Sequence, residues 1–304
     1  MLKSNETVAG PAKRGAGYRF FRSKSAYLGI IPFLLLSGLF LLYPTYSVIF
    51  GAFHDDKNNF STKILVETFK YSATKDAFTN SIRLSAITAI LGAIIGALYS
   101  WAVSVGKPDS KLKSFSVSAS GVLAQFGGVM LTFAFLATFG FNGLITTIFL
   151  KYFPTSSLAN PTWLYGMNGL IVVYLFFQIP LMFLVFMPAL ENMRSQWREA
   201  SDSLGGDAKE YWLKVGLPIL TPSFLGGTLL LFANSFSAYA TAAALITSGQ
   251  FITPLQIANA ISSELGNANA AIAKSLAFFM VVVVILIMAI YSLILRRVSK
   301  WDIK

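Results

Sequence analysis

The sequence predicts an all-α polytopic membrane protein with about six transmembrane helices, on three observations. The chain is 55% hydrophobic and only 12% charged, whereas soluble domains average roughly 25% charged. Its apolar runs are charge-free over lengths that meet or exceed the ~20 residues a helix needs to cross the hydrocarbon core. Lysine and arginine concentrate in alternate loops, the pattern that marks the cytoplasmic side. The net charge of +11 is therefore a topology signal and implies no nucleic-acid partner. With no cysteine, neither disulfides nor thiolate metal sites are available.

Residues 1–25 form a basic tail, with six lysines and arginines against Glu6. The run 25–53 is the first span. A cleavable signal peptide would have an apolar region of about 7–15 residues and a small-residue cleavage site, and this run has neither. Pro32 and Pro44 can be accommodated in a packed membrane helix. Residues 54–79 balance four lysines against four acids and read as external. The second span, 80–105, carries Gly92 and Gly96 at a GxxxG spacing, which serves close helix packing. Residues 106–114 are a short basic, cytoplasmic loop.

The uncharged run 114–150 is too long for one helix. Its break falls at Gly140-Phe141-Asn142-Gly143, which gives a third span at 115–139 and an external segment through 165. The fourth span is 168–190. Pro218 and Pro222 sit near a helix start, where a missing amide costs little, and the fifth span is 223–247. Residues 248–273 carry one charge, Glu264, before the last span, 275–295. Seventeen lysines and arginines then lie on the cytoplasmic side and five opposite, with Arg83 and Lys274 at helix ends. The division is a cytoplasmic tail 1–25, a membrane domain 26–296 with a cytoplasmic loop 191–216, and a cytoplasmic tail 297–304.

That loop is the one sizeable polar segment between spans, with nine charged residues from Glu191 to Lys214. Its chemistry predicts two short helices joined at a corner. Residues 199–204 are helix-compatible, and Gly205 and Gly206 supply the positive φ that ends a helix. Asp207 and Glu210 then form an Asp-x-x-Glu capping box that starts the next.

The stretch resembles the EAA loop of the permease subunits of binding-protein-dependent ABC importers. The family pattern is Glu-Ala-Ala, three residues, Gly, nine residues, then Ile-x-Leu-Pro. Glu199, Ala200, Ser201, Gly205, Val215, Leu217 and Pro218 fall at those positions, with Ser201 for the second Ala and Val215 for Ile. The resemblance implies a type I importer permease fold. It also implies that this corner, including Leu204 and Asp207, docks into a cleft on a cytoplasmic ATPase. The implied partners are a second permease, usually a different chain, two ATPases and an extracytoplasmic solute-binding protein. Phe78-Thr79-Asn80-Ser81, residues 235–244 and Thr253-Pro254-Leu255-Gln256 are similar to the polyamine, thiamine and iron branch, which makes a polyamine or similar small polar solute the expectation.

The chain holds no GxxxxGK[ST] phosphate loop, and Gly15-Ala16-Gly17 lacks the context for one. ATP and Mg are thus expected on the partner ATPase, with no cofactor, metal or catalytic residue in this chain. His54 beside Asp55 and Asp56 has no metal-ligand spacing and reads as a solvated loop. An ion-coupled secondary transporter or channel is the rival function, but its usual intramembrane acids and bases are missing from the predicted span interiors. Those interiors hold neutral polar groups instead: Gln125, Gln178, Asn234, Ser235, Ser237, Tyr239 and Thr241. A buried amide needs a partner, so these face other helices or a water-filled path. Asn234, Ser237 and Thr241 are placed on one helix face.

Overall fold

The computed structural model describes residues 30–54, 60–106, 110–153, 156, 160–246, 251–262 and 267–298, with the side chains of 267–269 and 294–298 excepted. The tail 1–25, the residues after 298, Lys107, Asp109 and Glu264 lie outside them. The described residues are helical apart from turns and one isolated bridge, His54 to Phe60. Six helical runs have the length and composition to cross a membrane.

The first helix, α1 (Ile30–Ala52), belongs through Gly51 to a unit of its own. It contains a π turn at Gly38–Leu42, closed by the Tyr43 amide donating to the Gly38 carbonyl. Pro44 follows two residues later. Proline has no amide and its ring crowds the carbonyl four residues back, and a π turn just ahead widens the helix there.

The second unit holds the bundle. A short amphipathic helix, α2 (Lys63–Lys70), turns at Tyr71 into the 33-residue α3 (Ser72–Ser104). The predicted second span is therefore eight residues short at its start, because Ser72 to Thr79 continue the helix although they are too polar to read as membrane. Arg83 consequently lies about three turns inside α3 and not at its end, with its side chain exposed.

One face of α3 is lined with small residues, Ser85, Ala89, Gly92, Ala93, Gly96 and Ser100, all buried. It packs against α7 (Met167–Glu191), the fourth span, as closely as backbones allow. A Cβ at Gly96 would stand 2.5 Å from the Met182 Cβ. From α7 the bulk comes in return: Tyr174, Phe177, Met182, Phe183 and Phe186 fill the core.

The predicted third span is two helices, α4 (Lys111–Gln125) and α5 (Gly128–Phe139), broken at Phe126-Gly127. The expected turn at residues 140–143 is also present, and leads to α6 (Leu144–Tyr152) and a 3-10 turn, Pro161–Tyr165. The turn at residues 140–143 does not interrupt the apolar pattern, and the third candidate span, Gly128–Tyr152, runs through it. The Lys113 Nζ lies 2.7 Å from the Glu191 Oε1, tying the start of α4 to the end of α7.

After α7 come α8 (Ser195–Ser203), α9 (Ala208–Tyr211), a π turn (Trp212–Gly216) and α10 (Leu217–Ser237). The helix enters the bundle well before residue 223, and Pro218 and Pro222 lie inside the continuous run from Ala208. The π turn makes this possible at Pro218, with the Leu217 amide reaching the Trp212 carbonyl; the π turn and proline stand in the same spacing as in α1. The run then stops at Ser237, short of the predicted 247, because Ala238 is extended (φ −70°, ψ 107°). The chain resumes as α11 (Ala240–Leu245), α12 (Thr253–Ser262) and α13 (Asn267–Val298).

Candidate functional site

Two places gather the residues that the sequence singles out. The first is the corner between α8 and α9. Gly205 has φ +78°, and two bonds close the helix end: Gly206 N to Ser201 O at 3.0 Å and Gly205 N to Asp202 O at 3.0 Å. This is a Schellman cap, which satisfies carbonyls that a helix end would leave open. The next helix starts with Asp207, whose Oδ1 accepts the Glu210 amide at 2.7 Å. Only this half of the predicted capping box forms, since the Glu210 carboxylate reaches forward to the Lys214 Nζ at 2.8 Å.

Because the corner satisfies its own backbone, its outer surface is left uncovered. Leu204 is 89% exposed, and Glu199 and Ala200 are exposed beside it. Trp197, Ala200, Ser201, Leu204 and Val215 line a groove of about 480 Å³. Glu199, Ala200, Ser201, Leu204, Gly205, Asp207 and Val215 thus come together, while Leu217 and Pro218 lie further on, in the first turn of α10. Behind the corner, Tyr211 is buried. Trp212 stacks edge-on with Trp101 of α3 at 6.4 Å, and its ring leaves no room for a Cβ at Gly216. The groove is therefore mounted on a short lever that continues into a bundle helix.

The second place is a cavity of about 330 Å³ where the two helix breaks meet. Gln125, Asn234, Ser237, Tyr239 and Thr241 line it together with Gly127 and Gly128. Asn234, Ser237 and Thr241 do not share a helix face as expected: Ala238 interrupts the helix, and the three converge around the interruption. Each break borrows partners from the other. Gly128, at φ +69°, donates its amide to the Thr241 Oγ1 at 2.9 Å, and the Thr132 hydroxyl donates to the Thr241 carbonyl at 3.1 Å. The Tyr174 hydroxyl donates to the Ala238 carbonyl at 2.9 Å. Every lining side chain is uncharged, so the cavity offers amide, hydroxyl and backbone groups to a polar solute and no acid or base.

Gln178 stands apart from this group. It is fully buried, with its Nε2 donating to the Thr88 Oγ1 at 2.8 Å and Thr88 in turn 2.9 Å from the Ser235 Oγ. It knits α3, α7 and α10 together and does not line the cavity. Sequence reasoning missed the Gly127-Gly128 pair, which the double glycine after Gln125 could have flagged, and Tyr174, whose role no local signal discloses. Among the described residues no cluster of His, Cys, Asp or Glu could hold a metal.

Thr241→Val keeps the side chain's shape but removes the acceptor of the Gly128 amide. The expected loss is about 1–3 kcal/mol, read as a lower thermal midpoint in detergent, and Thr241→Ser should behave as wild type. Equal midpoints for all three would show that the bond between the breaks carries no stability.

Known proteins carry the same architecture. A solved bacterial ABC transporter involved in import of the acidic polysaccharide alginate superposes with a TM-score of 0.72, covering 93% of this chain and 99% of that one at 14% identity. The MetNI methionine ABC transporter gives a TM-score of 0.52 over 75% of this chain and 99% of that chain, at 16% identity. At such identities these likenesses speak for the fold alone. In sequence, a ferric transport system permease protein of Haemophilus influenzae is 25% identical over 230 residues, 72% of this chain and 33% of that protein. A sulfate transport system permease protein of Marchantia polymorpha is 26% identical over 178 residues, 58% of each. The chain spans about a third of the length of the ferric relatives of Haemophilus influenzae and Actinobacillus pleuropneumoniae. The family described as "Binding-protein-dependent transport system inner membrane component" matches residues 144–300. That match covers more than half of the chain, including the exposed corner and the helix that leads from it, and the chain belongs to this family of multi-pass inner membrane components.

Proposed function

We propose that the chain is the permease subunit of an ABC importer, forming the solute path and coupling it to ATP hydrolysis on a separate subunit. The observation that carries this reading is the corner at Gly205: an apolar groove on a self-capped helix pair, rigidly continuous with a bundle helix. ATP and Mg belong to the partner ATPase. A second permease, a different chain by the branch resemblance, two ATPases and an extracytoplasmic binding protein complete the assembly. In this scheme closure of the ATPases pushes on the corner, and the spans rock around the cavity at the two helix breaks.

The polyamine expected from the branch resemblance has no counterpart among the relatives reported above, which are named for ferric and sulfate transport. Ferric or sulfate import is therefore the solute class that the relatives favour.

The test is reconstitution of the chain, with both termini cytoplasmic, in liposomes. With the second permease, the ATPase and the binding protein it should support solute-stimulated hydrolysis and uptake, and alone it should do neither. Solute movement down an ion gradient by the purified chain without nucleotide would overturn the reading in favour of a secondary transporter.

A further inference from the structure

Beside α2 the bundle carries a groove that the transport scheme does not use. The sequence Lys-Ile-Leu-Val-Glu-Thr-Phe-Lys sorts its residues by helical spacing. Leu65 turns inward and is 7% exposed, while Val66 and Phe69, three apart, remain 51% and 44% exposed. The Phe69 ring lies tilted against Phe279 of α13 at 5.0 Å between centroids, and Phe78 of α3 closes the group at 6.1 Å from Phe279. The result is a trough of about 500 Å³ whose walls are Leu65, Val66, Phe69 and Phe279, with Lys70 and Lys75 at its rim.

We propose that this trough holds an anionic phospholipid of the outer leaflet, one acyl chain along Val66, Phe69 and Phe279 and the phosphate between Lys70 and Lys75. Both halves of the site point to the same occupant. An apolar trough of this size in the interfacial layer is filled by hydrocarbon in preference to water. The segment 54–79 carries no positive excess, four lysines against four acids, and is read as lying on the outer side. Of the three helix-end lysines, Lys63 is engaged with Glu67 at 3.9 Å, whereas Lys70 and Lys75 form no ion pair among the described residues. Asp76, next to Lys75, accepts the Ser72 hydroxyl instead. An anion lying between the two ammonium groups would be attracted by both. Free phosphate would satisfy the charges but leave the aromatic floor wet, so the amphiphile fits where the ion does not.

The experiment is native mass spectrometry of the full-length chain in mild detergent, with phosphatidylglycerol or phosphatidylcholine of identical acyl chains. The wild type should retain phosphatidylglycerol preferentially. Lys70→Gln/Lys75→Gln should lower that retention by on the order of 25-fold, about 5-fold for each lysine near an anionic headgroup, and leave phosphatidylcholine unchanged. Both side chains are exposed, so folding is preserved, and Lys63→Gln on the same helix should have no effect. Val66→Trp, which fills the trough, should displace both lipids. Equal retention of the two lipids by the wild type would overturn the proposal. So would undiminished phosphatidylglycerol in the double glutamine variant, or displacement of the lipid by millimolar inorganic phosphate.

Discussion

Gly205→Val is expected to cut ATP-driven uptake by about ten-fold or more while the chain remains in the membrane at wild-type levels. A Cβ built at Gly205 meets nothing within 4 Å, so crowding is not the cause. The backbone is: at φ +78° a β-branched residue is forced into a conformation that costs at least about 1–2 kcal/mol, a 5–30-fold shift away from the native corner. If the corner relaxes, the Schellman bonds to Ser201 and Asp202 open and the groove at Ala200 and Leu204 loses its shape. Asparagine tolerates the left-handed region, so Gly205→Asn should retain uptake within a few-fold. Glu199→Lys tests the same surface by charge, since Glu199 is exposed and reversal exchanges attraction for repulsion against a partner. Uptake is measured beside a pull-down of the ATPase from the same membranes. Wild-type values for Gly205→Val in both assays would remove the corner from the coupling mechanism.

What the sequence made legible follows from which signals are local. Spans announce themselves through unbroken apolar length, and the corner through Gly205 and Asp207, whose conformational preferences act within a few residues. The breaks at Phe126-Gly127 and Ala238 fall inside the runs 115–139 and 223–247, which carry no charge to mark them. What stabilises each break is remote: Thr241 lies 113 residues from Gly128, and Tyr174 lies 64 from Ala238. A lone amide in an apolar run looks the same whether it faces a path or, as Gln178 does, a threonine on the neighbouring helix. The ends of the helical run at 208–237 differ from the predicted 223–247 for a related reason. Proline near a predicted start reads as a boundary, and a π turn that carries the helix through it leaves no sequence mark.

Among substitutions at Gly92, Gly96 and Gly121, Gly96→Val is expected to destabilise the bundle most, with Gly96→Ala next. In a membrane, helices gain nothing by hiding hydrocarbon from water, so association rests on packing and hydrogen bonds, and α3 and α7 meet along their small residues. A Cβ at Gly96 would lie 2.5 Å from the Met182 Cβ and 2.8 Å from the Ile179 carbonyl oxygen. The second of these is backbone and cannot rotate away, so the helices must part. Overpacking of this kind costs about 1–3 kcal/mol for a modest insertion. Parting also pulls Ser100, which donates to the Gly96 carbonyl at 2.8 Å, away from the Phe183 carbonyl at 3.4 Å. Gly92→Ala should be milder, because its nearest neighbours are the side-chain atoms Leu231 Cδ2 at 3.1 Å and Gln178 Cβ at 3.2 Å, and the leucine can yield. At Gly121 nothing lies within 4 Å, so alanine there should stabilise the helix by up to about 1 kcal/mol. Thermal midpoints in detergent should therefore fall in the order Gly121→Ala, wild type, Gly92→Ala, Gly96→Ala, Gly96→Val. A Gly96→Ala midpoint equal to that of Gly121→Ala would mean that the backbone-to-backbone approach of α3 and α7 is not what holds the bundle together.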